Sequence, residues 1–334
     1  MHRVGPVSAI LVEATVKSAV LLVLLLTAFA YMTLLERRLI ARFQLRYGPN
    51  RVGPLGLLQP LADGIKLIFK ESFIPARADV LVYWIAPAVS MIAALFVYAV
   101  IPIGPEVQIF GRRVALYLAD VNIGILLVLG ASSIGVYGII LGGWSANNKY
   151  ALLGSLRSSA QVISYELVIG LAVASVVLSA GSLSLVDIVN AQQRLWFVVT
   201  QPVAFLLFLI GGVAETNRAP FDLPEAEQEL IAGFHTEYGG FKFAMFYAGE
   251  YLGIVTMSLL TATLFLGGWH GPVLPGVVWV ALKTFAFVFL FIWLRATFPR
   301  VRHDQLMGLS WKVLIEIGFA NVVVTAAVLT LLGR

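Results

Sequence analysis

Eight long apolar stretches constrain the fold of this 334-residue chain more than any other feature. A bilayer core is about 30 Å thick and an α-helix rises about 1.5 Å per residue, so a spanning helix needs about 20 mostly apolar residues. The stretches lie near residues 18–35, 80–103, 121–142, 160–180, 196–214, 243–266, 274–294 and 313–332. Only 12% of the residues are charged, and the mean hydropathy is +0.91. The sequence therefore predicts one all-α, polytopic membrane domain over residues 1–334 and excludes a soluble globular fold.

The basic residues predict the orientation of these eight spans. Most of the 23 lysines and arginines fall on one side, in the loops 36–79, 143–159, 215–242 and 295–312. The positive-inside rule places these long loops on the cytoplasmic side, or its topological equivalent, and both termini on the outer side. The net charge of +5 thus indicates membrane topology, and we expect no nucleic-acid partner.

The chain contains no cysteine, which limits the redox chemistry that it can carry. Without thiolates it cannot form disulfides, ligate an iron–sulfur cluster or attach haem through thioethers. Its four histidines show no paired-ligand spacing, and no phosphate-binding loop or Ser/His/Asp grouping appears. The sequence predicts no metal site, no redox cofactor and no catalytic residue in this chain.

Segment 57–72 has the pattern of an amphipathic helix lying at the membrane interface. One face carries the apolar residues Leu58, Leu61, Ile65, Ile68 and Phe69, and another carries Asp63, Lys66 and Lys70. Two interpretations remain open: a membrane-surface helix with a solvated row of charges, or one wall of a cavity for an amphipathic ligand.

Five acids follow the fifth predicted span within residues 215–229. They are Glu215, Asp222, Glu225, Glu227 and Glu229. Asp222 and Glu225 have the spacing of a helix cap with its capping box. Alternatively, Asp222, Glu225 and Glu229 share one helix face, where crowding would raise carboxylate pKa values and favour shared protons. Arg218 is three residues beyond Glu215 and is its expected ion partner.

Two further acids, Glu166 and Glu250, lie inside predicted spans without a basic residue three or four positions away. A charge at the bilayer centre costs about 2.5–3.5 kcal/mol on insertion scales. An unpaired carboxylate there can be carried neutral and can exchange a proton. We therefore predict that both residues are proton-relay stations.

The inward segments resemble a known family. The matching motifs are ERR (36–38), QLRYGPNRVGP (44–54), GLLQPLADGIK (56–66), KYALLG (149–154), SYE (164–166), ETNRAPFDLPEAE (215–227), RATFPR (295–300) and DQLM (304–307). In this order they resemble the H subunit of NADH-quinone oxidoreductase, respiratory complex I. The resemblance covers essentially the whole chain.

The resemblance implies a function in quinone reduction and proton translocation. Quinone would be the substrate, and FMN and iron–sulfur clusters would reside in partner subunits. Hydrophilic quinone-module subunits, small and antiporter-like membrane subunits and lipids would be the partners, in a bacterial-type plasma (inner) membrane. The implied quinone-cavity residues are Arg37, Arg46, Asp63, Lys66, Arg218, Phe221, Arg295 and Arg300. The implied proton-relay residues are Glu36, Asp63, Glu166, Glu215, Asp222, Glu225, Glu227, Glu229 and Glu250.

One departure and two alternatives accompany this resemblance. Some family members carry another carboxylate in the third span, where this chain has Ser132 and Ser133. The same scaffold also anchors membrane-bound hydrogenase-type complexes, which use no quinone. Intramembrane acids would equally suit a stand-alone ion-coupled transporter, although no inverted repeat is visible.

Overall fold

The structure is a computed structural model that describes residues 7–109, 112–224 and 227–333. Its helices are α1 Val7–Phe43, α2 Gln59–Phe69, α3 Val80–Phe96, α4 Gly124–Ser145, α5 Lys149–Ala180, α6 Leu185–Ala191, α7 Phe197–Thr200, α8 Pro202–Glu215, α9 Glu227–Leu230, α10 Gly240–Phe265, α11 Gly276–Thr297, α12 His303–Leu309 and α13 Ile315–Leu331. Two three-residue strands, β1 Val107–Ile109 and β2 Arg112–Val114, pair antiparallel. Apart from this hairpin, the described chain confirms the all-α prediction.

Seven helical segments of the described residues are long and apolar enough to cross a membrane. They are Leu11–Phe43, Val80–Ala99, Gly124–Ser145, Lys149–Ala180, Gly240–Phe265, Gly276–Thr297 and His303–Leu331. The last is continuous because a π-helical turn, Ser310–Leu314, joins α12 to α13. The chain is therefore a multi-pass membrane protein, as the sequence predicts.

The predicted span at 196–214 is not confirmed as a long helix. It is divided into α7, of four residues, and α8, of 14 residues. Pro202 has no backbone N–H and disfavours a helical conformation of the preceding residue, and Gln201 accordingly takes φ −130° and ψ 55°. The described residues therefore contain seven long helices and one short apolar helix, and eight long spans are not confirmed.

The predicted inward loop 143–159 is mostly helical. Helix α5 begins at Lys149, because the Asn148 side chain accepts a hydrogen bond from the backbone N–H of Tyr150 and caps the helix. No proline interrupts the sequence that follows. The fourth span therefore extends well beyond its predicted start near residue 160.

Helices α5 and α10 are the most buried of the seven long helices. Helix α5 packs against α4, α8 and α13, whereas α10 packs against α3 and α11. The outer helices expose apolar side chains such as Val20 and Val23, as lipid-facing residues do. Glu166 and Glu250 therefore lie on the two helices that other protein elements surround most completely.

Candidate functional site

A buried ionic cluster lies between α1, α10 and the loop after α8. The Arg218 side chain is 5% exposed; its Nη1 lies 3.1 Å from Glu36 Oε1 and its Nε lies 2.7 Å from Glu250 Oε1. The guanidinium also lies 4.4 Å from the ring centre of Tyr251. Arg295 forms a second ion pair with Glu36 and is 32% exposed. The structure thus brings together four predicted site residues, with Arg295 at the accessible edge.

The loop that carries Arg218 is held by a buried amide of α5. Gln161 Nε2 donates to the carbonyl oxygens of Ala214 and Phe221, at 2.7 Å each. The backbone N–H of Val301 donates to the carbonyl of Pro220 at 3.0 Å. These bonds fix the loop between α5 and the segment before α12, and thereby fix Arg218. Sequence reasoning missed Gln161, although an amide inside an apolar span is a visible signal.

Two sequence predictions about this cluster are wrong. Glu250 has an ion partner, Arg218, which is distant in sequence. Arg218 pairs with Glu36 and Glu250 rather than with Glu215, because α8 ends at Glu215 and the two residues do not share a helix face. Burial lowers the pKa of Arg218, but the charges of Glu250 and Glu36 raise it further, so the net shift is upward. The guanidinium is therefore permanently charged.

A cavity adjoins the ionic cluster. Its volume is about 120 Å³; its lining is mostly apolar, and its polar side chains are those of Ser90, Ser132, Glu215, Thr216, Asn217, Glu250 and Thr256. A cavity of that size with several polar partners has room for more than one water molecule. Glu215 and Glu250, from two different helices, therefore face one space that can hold water.

Glu166 contacts α4 beside this cavity. The Ser133 hydroxyl donates a hydrogen bond to Glu166 Oε1, and the neighbouring Ser132 lines the same cavity as Glu215. The two serines that replace the expected third-span carboxylate thus lie between two predicted relay acids.

A separate ionic group joins α1 to α2. Asp63 lies 2.7 Å from Arg37 Nη1 and 3.2 Å from Lys66 Nζ, and it accepts a hydrogen bond from Gln59. Partial burial raises the pKa of Asp63, but the bonds and charges of Lys66, Arg37 and Gln59 outweigh it and lower the pKa. The predicted helix is confirmed over 59–69, with exposed apolar residues such as Phe69.

Arg46 is not part of either ionic group. Its side chain donates to the Gln44 side chain at 2.8 Å on the exposed end of α1. The role of Arg46 in a quinone cavity therefore stays a prediction.

Asp222 lies in irregular backbone just before a turn at Leu223 and Pro224, and helix α9 is described from Glu227. The capping box and the shared helix face both involve Glu225, which lies outside the described residues, so both interpretations stay predictions. Glu229 pairs with Arg157 at 2.6 Å and with Arg300 at 3.3 Å. The hydrogen bond from Arg157, together with both positive charges, lowers the pKa of Glu229.

Two more of the predicted acids are not described in full. Glu225 lies outside the described residues, as does the side chain of Glu227. Phe221 is buried, and its ring centre lies 5.8 Å from that of Tyr165 on α5. It therefore anchors the loop against the core.

An apolar groove of about 610 Å³ runs between α1, α10 and α11. Its walls include Leu35, Leu259 and Ala281, and Arg38 and Leu57 lie at its end nearest α2. Such a groove can accept a long apolar chain whose polar end stays near Arg38. In the described part of the chain, no group of three His, Cys, Asp or Glu residues could hold a metal ion.

Comparisons with known proteins identify relatives of this chain. A family model described as NADH dehydrogenase matches residues 16–326. The H subunit of NADH-quinone oxidoreductase from Protochlamydia amoebophila (strain UWE25) is 56% identical over 300 residues, which are 90% of this chain and 92% of that protein. The corresponding H subunit of Thermomicrobium roseum is 56% identical over 319 residues, 92% and 94% of the two chains. One H subunit of Geobacter metallireducens is 55% identical over 315 residues, 94% and 96%.

Proposed function

Because the chain belongs to the family of the H subunit of NADH-quinone oxidoreductase, we propose that it walls the quinone cavity of that enzyme and couples quinone reduction to proton translocation through its carboxylates. The relatives are named as subunits of this oxidoreductase complex. Their names favour this function over a hydrogenase-type anchor or a stand-alone transporter.

The observation that carries the proposal is the ionic cluster of Glu36, Arg218, Glu250 and Arg295. Reduction of a quinone to a quinol takes up two electrons and two protons, so negative charge builds up where the protons are drawn. Arg295, at the exposed edge, would respond to that charge first. A change in its pairing with Glu36 alters the field on Arg218 and hence on Glu250.

The relay would continue through the cavity beside the ionic cluster. Glu250 and Glu215 both line it, and water within it would connect their carboxylates. Glu166 of α5, which accepts a hydrogen bond from Ser133, would be the next acid in the relay. The remaining acids, Asp63, Asp222, Glu225, Glu227 and Glu229, would serve the entrance side of the same path.

The apolar groove suits the isoprenoid tail of a quinone. It opens between helices that face lipid, and it ends beside Arg38, close to α2. The tail would lie along the groove while the headgroup reaches the basic inner face. Arg37, Lys66 and Arg46 belong to that face, and Phe221 and Arg300 belong to the loops beside it.

The proposed topology keeps eight crossings. Residues 197–215 together extend roughly 28 Å at helical rise, so α7 and α8 would make one crossing. Both termini would then lie on the outer side of a bacterial-type plasma membrane. The inner face, with α2 in the interface, would dock the hydrophilic subunits that hold FMN and iron–sulfur clusters. Antiporter-like subunits and lipids would contact the apolar flanks.

The relay is tested with Glu166→Gln and Glu250→Gln in the assembled enzyme, reconstituted into vesicles. We expect both variants to pump fewer protons per NADH oxidised, because an amide cannot exchange a proton. Glu316→Gln is the matched control, since Glu316 is an exposed acid on α13. If both relay variants pump and reduce quinone like the wild type, the relay assignment is wrong.

The groove is tested with Ala281→Trp, which narrows it. We expect a higher KM for a long-tailed quinone and an unchanged KM for a short-tailed analogue, because only the former needs the groove. Ala327→Trp on the exposed face of α13 is the control. An equal rise in KM for both quinones would contradict the tail assignment.

A further inference from the structure

One buried lysine, Lys242, lies in the first turn of α10. Its side chain is 1% exposed, and no described residue accepts a hydrogen bond from its ammonium. The ammonium instead lies 4.1 Å from the ring centre of Trp84 and 4.7 Å from that of Tyr83, both on α3. The acid nearest to it in the sequence, Glu237, accepts a hydrogen bond from Asn148. Within the described chain, Lys242 thus has cation–π contacts but no oxygen acceptor.

These contacts leave the N–H donors of Lys242 without hydrogen bonds. An ammonium has three donors, and a buried charge is costly unless it is hydrogen-bonded. Lys283, which is also buried, shows the satisfied arrangement, since its ammonium donates to three carbonyl oxygens at 2.6–2.8 Å. The two rings beside Lys242 offset only part of the cost of burying its charge. Lys242 is therefore suited to an anionic acceptor from outside the chain.

The ring that covers the ammonium lies on the outer surface of the helix bundle. Trp84 is 52% exposed, although Lys242 beneath it is buried. Leu81, Ile85 and Ile92 are exposed on the same face of α3 at helical spacing, as lipid-facing residues are. Only the Trp84 side chain therefore needs to move for a group among the lipids to approach the ammonium.

The site lies at the level of the membrane interface. Trp84 is the fifth residue of α3 and Lys242 the third of α10, so both lie within roughly 8 Å of the helix starts. The backbone of Lys70, where the interfacial helix α2 ends, packs against Gly240 at the start of α10. Tryptophan is enriched at this level, where lipid headgroups lie.

We propose that Lys242 and Trp84 form a binding site for the phosphate group of an anionic phospholipid. An exposed side chain changes rotamer rapidly, and rotation of Trp84 gives the phosphate access to the ammonium. The phosphate oxygens accept hydrogen bonds from the ammonium, and the indole N–H is a second donor. The acyl chains lie along the apolar face of α3.

An anionic lipid fits this site better than a zwitterionic one. The headgroup of a zwitterionic lipid carries its own cation, which competes with Lys242 for the phosphate. Basic residues between membrane helices bind anionic headgroups in the same way. The assignment of the lipid to the inner leaflet rests on the proposed topology, whereas the contacts themselves do not.

The test titrates the purified full chain in detergent micelles with phosphatidylglycerol and counts bound lipids by native mass spectrometry. We expect Lys242→Met to weaken the tightest binding event about tenfold or more, because a charge-assisted hydrogen bond is lost. Lys242→Arg keeps the charge and should retain the lipid. Lys312→Met is the matched control, since Lys312 is an exposed lysine near the start of another membrane helix.

Two further arms identify the ligand. Phosphatidylcholine should bind more weakly than phosphatidylglycerol, and inorganic phosphate should not displace the bound lipid. Equal binding of the two lipids, or displacement by inorganic phosphate at equal affinity, would overturn the proposal of an anionic lipid.

Unchanged binding of phosphatidylglycerol by Lys242→Met would overturn the site itself. If that variant binds the lipid normally but the assembled oxidoreductase loses a membrane subunit, Lys242 pairs with an acid of that subunit instead. If Lys242→Met does not fold, Trp84→Phe decides: it keeps a ring at an exposed position but lacks the N–H donor, so binding should weaken severalfold, and wild-type binding would refute the site. The measurement involves no quinone, so its failure leaves the proposed quinone function untouched.

Discussion

Replacing Arg218 with methionine should destabilise the chain strongly, because it leaves the buried Glu36 and the partly buried Glu250 without their shared cation. At an effective dielectric constant of about 20, unit charges at the observed separations of 2.7 and 3.1 Å attract by roughly 5–6 kcal/mol each. Desolvation of the guanidinium offsets several kcal/mol of this attraction. Glu36 also keeps Arg295 as a partner. We therefore expect Arg218→Met to lower the free energy of unfolding by about 3–5 kcal/mol.

The assay is unfolding of the full chain in mixed detergent and dodecyl sulfate micelles, followed by circular dichroism. The double variant Arg218→Met/Glu250→Gln should recover part of the loss, since the amide removes one uncompensated charge. Arg218→Lys keeps the charge but cannot present separate N–H groups to two carboxylates, so we expect an intermediate loss. A loss under about 1 kcal/mol for Arg218→Met, or no recovery in the double variant, would refute the assignment of a buried ionic cluster.

Two further predictions concern the ends of the bundle. Lys283 is 7% exposed and donates to three backbone carbonyls of the turn 266–270, so Lys283→Met should lower the free energy of unfolding by about 2–3 kcal/mol in the same assay. The control Lys17→Met, which removes an ion pair with the exposed Glu13, should lower it by less than about 1 kcal/mol. Equal losses in the two variants would contradict this prediction. Because the pKa of Asp63 is lowered from 3.8, its ionised form stabilises the fold above that pH, and this contribution disappears as the pH falls from 3.8 through the folded value. On acidification, the free energy of unfolding of Asp63→Asn should therefore fall less than that of the wild type. If both proteins lose the same stability below pH 3.8, the Asp63 carboxylate contributes nothing.

The spans could be predicted from sequence because the bilayer imposes their length and apolarity. The exception, α8, follows from one residue: Pro202 divides a stretch whose hydropathy alone predicts a single helix. Helix α2 could be predicted as well, since its apolar and charged faces repeat at helical spacing. Hydropathy therefore locates the elements, and local backbone chemistry decides where they break.

The partners of Arg218 could not be predicted from local spacing. Arg218 and Glu36 are 182 residues apart in the sequence, and they meet because α10 packs against both α1 and α8. For the same reason, the sequence near Glu250 on its own helix gives no sign of its basic partner. The residue types and the segments were predictable, but the pairing depends on tertiary packing that periodicity does not contain.

Burial of a charge does not by itself distinguish a structural role from a functional one in this chain; the surroundings do. The Lys283 ammonium donates to three carbonyl oxygens and lies 4.5 Å from the ring centre of Trp196, so all of these partners are groups that do not titrate. Glu215 and Glu250 instead face a cavity that can hold water, and Glu166 contacts a hydroxyl that has a second acceptor. These acids therefore have neighbours with which a proton can be exchanged, whereas deprotonation of Lys283 would weaken the bonds that close the turn after α10. This difference supports the proposal that the acids of α5, α8 and α10 form the relay.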